Sequence, residues 1–96
     1  MSLLRLIFEY DPAKAASNLK KHRVSFAEAM TVFDDPRLST RLYVQHTLDE
    51  DRFITVGMSS RQRVLFIVYT GTTSGIRLIG ARAATAAEKK QYEEGC

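Results

Sequence analysis

The sequence predicts an α+β fold: a largely antiparallel sheet of about four to five strands with two N-terminal helices and one C-terminal helix. Helix-start signals crowd the first third, at Asp11-Pro12 and at Ser25-Phe26-Ala27-Glu28. Between Arg52 and Arg82 the pattern changes to β-branched and aromatic runs separated by turn residues, and a further capping signal, Thr85-Ala86-Ala87-Glu88, follows. Helices set apart from consecutive strands are the α+β arrangement.

Taken in chain order, a strand near Leu4 to Tyr10 comes first. Asp11 is an N-cap and Pro12 suits the first helical position, where its missing N–H costs nothing, so a helix runs from about Pro12 to His22. Ala15, Leu19 and His22 share one face of it, while Lys14, Lys20, Lys21 and Arg23 occupy the polar side and the C-terminal end. Phe26, Ala29, Met30 and Phe33 recur at helical spacing in a short second helix that ends near Asp34-Asp35-Pro36. Strands follow over Leu38 to His46, Arg52 to Met58 and Arg63 to Thr70. The run Val64-Leu65-Phe66-Ile67-Val68-Tyr69 reads as the central one, buried on both faces. Ser59-Ser60-Arg61-Gln62 and Gly71-Thr72-Thr73-Ser74-Gly75 are turns, which makes Arg52 to Arg82 an antiparallel meander. In its last strand Ile76, Leu78 and Gly80 alternate with Arg77, Ile79 and Ala81. The C-terminal helix opens at Thr85 and stops at Gly95. The predicted order is β-α-α-β-β-β-β-α.

Ninety-six residues hold one core, so the whole chain, 1–96, is expected to be a single domain. Apolar residues at 45% and charged residues at 26% match ordinary globular proteins, and no apolar run approaches the roughly 18 residues of a membrane span. With no secretory leader pattern at Met1-Ser2-Leu3-Leu4-Arg5, the expected location is the cytoplasm. The single cysteine, Cys96, builds no disulfide within one chain. The net charge of +3 favours polyanionic partners such as RNA.

If the polyanionic partner is an RNA to be cut without a metal, the chemistry requires a base for the ribose 2′-hydroxyl, a proton donor for the departing 5′-oxygen and fixed positive charge around the phosphate. His22 ends a basic helix beside Lys20, Lys21 and Arg23, a setting suited to phosphate. A histidine packed with Leu19 against the sheet is its structural alternative. Arg52, Arg63, Arg77 and Arg82 each stand at or near the end of a predicted strand, with Arg82 expected to approach Arg52. Arg82 has the strongest claim, because small alanines flank it and the helix after Thr85 points N–H groups toward any bound anion. Glu50, two positions before Arg52, is a candidate base or an ion-pair partner. Tyr10 and Tyr69 are candidates for stacking on bases. His46 lies in the weakest strand and carries no role. Two histidines without carboxylate or cysteine at ligand spacing make no recognisable metal motif, so neither metal nor cofactor is expected.

The chain resembles the BrnT family of toxins. Phe8, Asp11, Lys14, Asn18, Lys21-His22, Val24, Phe26, Ala29, Glu50, Arg52, Gly57, Val68, Ile79, Ala81-Arg82, Ala84-Thr85, Glu88 and Tyr92 carry the likeness. It implies a RelE-like ribonuclease fold, translation arrest through RNA cleavage, and neutralisation by a BrnA-like antitoxin in a hetero-oligomer that reaches operator DNA only through the antitoxin. The site it supports is His22, Glu50, Arg52, Arg63 and Arg82 for catalysis, with Lys20, Lys21, Tyr10 and Arg77 binding RNA. Tyr10 stands where the family often has tryptophan, Arg23 where glycine is usual after Lys-His, and Gly80 where serine is usual before Ala-Arg. The alternatives are a non-catalytic partner-binding module and, less supported by the helices, a DNA-binding regulator.

Overall fold

A computed structural model describes residues 7–43 and 52–95. Five strands and three helices follow in order: β1 (Ile7–Glu9), α1 (Pro12–His22), α2 (Phe26–Thr31), β2 (Ser39–Tyr43), β3 (Arg52–Met58), β4 (Val64–Gly71), β5 (Gly75–Ala83) and α3 (Ala86–Glu94). A short 3₁₀ turn, Val32–Asp34, extends α2. The three capped helices start where the sequence places them: Asp11 accepts from the Ala13 N–H, Ser25 from the Glu28 N–H, and Thr85 forms a full capping box with Glu88. No helix among the described residues is long and apolar enough to cross a membrane.

The sheet order is β1-β5-β4-β3-β2. The neighbours from β2 to β5 are antiparallel, but β1 lies parallel to β5, which makes the sheet mixed. The two helices between β1 and β2 carry the chain across the sheet, and the hairpins that follow bring β5 back beside β1 in the same direction. Gly75 permits this join. A Cβ on it would sit 2.1 Å from the Ile7 carbonyl oxygen, so a residue the sequence offered as part of a turn is also a close-approach glycine.

β5 carries a bulge. Val68 pairs with Gly80 and Tyr69 with Leu78, leaving Ile79 as the extra residue. The simple alternation expected for this strand therefore fails at Ile79. Ile76, Leu78 and Ala81 are the residues buried in the core, while Arg82 pairs with Phe66 on the other face. Bulges re-aim side chains in this way.

The core lies between α1, α2 and one face of the sheet. Val24, Ala29, Val32, Leu65 and Ile67 are fully excluded from solvent. Truncating a side chain such as Leu65 to alanine would cost about 2–5 kcal/mol. On α1 the buried residue is Asn18, whereas Leu19, expected on the packing face, is 48% exposed. The opposite face of the sheet, with Ile54, Val56, Phe66 and Val68, is partly covered by α3.

Helix α1 ends on Arg23, which adopts the left-handed conformation (φ 58°, ψ 31°) and donates its N–H to the Leu19 carbonyl at 2.9 Å. That geometry belongs to glycine, and a non-glycine residue in it stores about 1–2 kcal/mol. Arg23→Gly is expected to add about 1 kcal/mol of stability and to raise the melting temperature by roughly 4–8 °C. Thermal unfolding followed by circular dichroism checks this, and an unchanged or lower midpoint would show that the arginine side chain supplies more than its backbone costs.

Candidate active site

At the end of β5 the bulge brings Arg82 onto the open face of the sheet. Its guanidinium lies 3.9 Å from the centre of the Phe66 ring, a cation–π arrangement. Nη1 and Nη2 donate to Glu88 Oε1 and Oε2 at 2.9 and 3.0 Å, and Nη1 also donates to the Ala83 carbonyl at 3.2 Å. Glu88 is the third residue of α3 and closes the capping box by accepting the Thr85 N–H. Arg82 above all, outweighing the opposing effect of burial, holds the Glu88 carboxyl below its ordinary value. Ring, strand and helix cap thus immobilise one arginine.

His22 stands beside it. With Asn18, Phe66, Val68, Gly80 and Arg82 it borders a shallow cavity of about 170 Å³. Asn18, one turn earlier on α1, fixes that helix to β5: its side chain donates to the Ala81 carbonyl at 2.8 Å and to the Val24 carbonyl at 2.9 Å, and accepts the Ala81 N–H at 3.1 Å. Gly80 leaves the floor of the cavity open, since a Cβ there would meet only Asn18 Oδ1, at 3.7 Å. His22 is exposed rather than packed with Leu19 against the sheet, and Lys20 and Lys21 are exposed on the same final turn. Arg82, His22, Lys20 and Lys21 are thus gathered at one end of the molecule.

Arg63 is nearby but engaged. It forms a bidentate pair with Glu28, and its Nη2 also donates to the Arg23 carbonyl at 3.1 Å. Glu28 is buried and also accepts from Ser59 Oγ at 2.7 Å. Hydrogen bonding from Arg63, more than offsetting desolvation, keeps the Glu28 carboxyl below its usual range. Arg63 therefore links α2 to the residue after His22.

The remaining candidates lie elsewhere. Arg52 pairs with Thr70 and Arg82 with Phe66, four residues apart along β4. That separation is about 13 Å, so Arg82 does not approach Arg52 as expected. Arg52 Nε is buried and has no hydrogen-bond partner among the described residues. Arg77 pairs with Glu9 at 3.2 Å, and together with Tyr10 and Lys14 borders a separate cavity of about 360 Å³ at the far end of β5. Tyr10 meets Phe26 edge-on. Tyr69 packs with Phe33 and Phe53 rather than offering a free stacking surface. Glu50 and His46 lie outside the described residues.

Three participants escaped the sequence reading. Phe66 was indistinguishable from its neighbours in an apolar run. Glu88 read only as a cap. Asn18 stood out in the motif but gave no sign of bridging to β5, although an amide within a helix otherwise facing an apolar core is the signal that would have found it.

The family model for BrnT, the ribonuclease toxin of a type II toxin–antitoxin system, matches residues 10–88. Among solved structures, the crystal structure of the Brucella abortus ribonuclease toxin BrnT is similar, with a TM-score of 0.61 and 18% identity over 84% of this chain and 99% of that one. At that identity the likeness is one of fold. No curated protein matches.

Glu28 and Glu88 both have carboxyl groups lowered from 4.5 on folding. The stability they contribute is complete above the unfolded value and is lost as pH falls through and below it. The melting temperature is expected to hold steady from neutral pH down to about 5 and to fall below that. Glu28→Gln should blunt the acid response and cost about 2–3 kcal/mol, because it breaks a buried charge pair whose arginine retains some access to water. Melting curves between acidic and neutral pH test both expectations; an unaltered acid slope in the variant would assign the response to other groups.

Proposed function

The chain belongs to the BrnT family of type II ribonuclease toxins, and on that premise we propose that it cleaves RNA, without a metal, on the face shared by His22 and Arg82. The observation that carries this reading is the presentation of Arg82. Glu88 occupies the end of its guanidinium through Nη1 and Nη2, while Nε–H and the second Nη2–H are engaged by no described residue. Those two donors lie side by side and match two oxygens of one phosphate.

In this mechanism the ribose 2′-oxygen attacks the adjacent phosphorus, a base takes the 2′ proton, the bond from phosphorus to the 5′-oxygen breaks, and that oxygen receives a proton. Arg82 neutralises charge that builds on the phosphate in the transition state. His22, bordering the same cavity, moves a proton, imidazole being the side chain suited to that task near neutral pH. Glu50 is the alternative base. Lys20 and Lys21 attract the strand, and Arg63 secures the end of α1 through the Arg23 carbonyl. Arg52, Tyr10 and Arg77 lie toward the other end of the sheet and extend contact along the RNA.

The wider reading has a RelE-like fold, arrest of translation and growth in the cytoplasm, and neutralisation by a BrnA-like antitoxin that alone contacts operator DNA. A fold kept only to bind that antitoxin is the competing reading.

Purified protein is expected to cut ribosome-free RNA with EDTA present. Arg82→Ala should lower the rate by about 10²–10³-fold and His22→Ala by about 10²–10⁴-fold. RNA left intact, together with normal growth on induction, would overturn the nuclease reading in favour of the binding module. Intact RNA with growth arrest would place cleavage on the ribosome.

A further inference from the structure

A groove of about 460 Å³ separates α3 from the open face of the sheet. Ile54, Val56 and Phe66 form its floor, and Glu88, Gln91 and Tyr92 line its α3 side. Its size falls within the roughly 300–1,000 Å³ of small-molecule sites. Two of these residues also belong to the proposed catalytic face: Phe66 underlies the Arg82 guanidinium and Glu88 binds it. Whatever fills the groove therefore adjoins whatever Arg82 holds.

The chemistry of the groove selects which part of an RNA strand enters. Its apolar floor suits a flat ring, while the carboxylates of Glu88 and Glu94 along its α3 side repel the phosphate backbone. Glu88 Oε2 accepts only from Arg82 among the described residues, which leaves it capacity for another donor. The Gln91 side chain is exposed and supplies both a donor and an acceptor. Bases are read in this manner, with the ring against an apolar surface and the edge hydrogen-bonded.

We propose that this groove seats the nucleobase adjoining the scissile phosphate, and that it favours bases with an amino group on the edge turned toward Glu88 and Gln91. The proposal rests on the assignment of Arg82 as the phosphate holder. It adds a base-specific subsite formed by Val56, Phe66 and Gln91.

Nucleosides provide a test that does not depend on cleavage. Titration of the full chain with adenosine and with uridine, followed by amide NMR shifts, should perturb Val56, Gln91 and Tyr92. Adenosine should bind roughly tenfold more tightly, about what one further hydrogen bond supplies. Val56→Trp should fill the groove and abolish the shifts, and Gln91→Ala, on an exposed helix position, should narrow the difference between nucleosides while keeping the fold. In RNA digests, sequencing of the cut ends should show a base preference that the Gln91 variant relaxes. Groove amides that stay silent at millimolar adenosine, equal affinities for the two nucleosides, or an unchanged cut-site preference in the variant would overturn the proposal. Groove shifts in a protein that cuts no RNA and leaves growth normal on induction would retain the base seat and refute the nuclease reading instead.

Discussion

The side chain of Asn18 holds this structure together at its decisive point. β1 pairs with β5 only as far as Arg77, and beyond it no strand among the described residues lies against that edge of β5. Asn18 satisfies both backbone groups of Ala81 there, and its amide reaches the Val24 carbonyl as well. A side chain thus completes the hydrogen bonding of a sheet edge, which would otherwise leave buried groups unpaired at about 1–3 kcal/mol each. The same contacts orient α1 against β5, and His22 stands one turn further along.

The arginines divide according to what holds them. Arg63 is committed to a buried carboxylate and to the backbone after His22, so its charge is spent within the fold. Arg82 is held by a carboxylate on one edge and a ring on its face, with its other edge engaged by no described residue. Arg77 forms an exposed pair whose energetic weight is small. Charge in the sequence therefore says less than the number of donors each guanidinium keeps free. Asp35 links the end of β3 to α3. Burial opposes its ionisation, but hydrogen bonds from the Met58 N–H, Tyr92 and the Arg37 N–H prevail. That link helps to set the width of the groove beside α3.

The helices were legible because caps are local: Asp11-Pro12, Ser25 to Glu28 and Thr85 to Glu88 act within one turn of chain. The hairpin turns were legible for the same reason. The parallel pairing of β1 was not, since it depends on how two helices cross the sheet. Nor was the bulge, because Ile79 looks like any apolar strand residue and pairing decides which residue is left over. Of the candidate site, His22 and Arg82 were identified by residue type and position. Their meeting in one cavity could be seen only after the bulge had changed the phase of β5. Glu28 shows the converse limit: its capping pattern carries no sign of burial, yet Arg63 and Ser59 draw the carboxylate inside.

The extra residue in β5 also gives the strand a point where chain length can change, which composition does not reveal. Val68 already pairs with Gly80 and Tyr69 with Leu78, so removing one codon at Ile79 would leave a regular strand in which every later residue keeps its partner and its face. Arg82 would stay opposite Phe66 and Ala81 opposite Ile67, with the helix caps untouched. A deletion at the bulge is thus a change of length that the sheet can absorb, whereas the same deletion at a regularly paired position would shift the register of the residues beyond it.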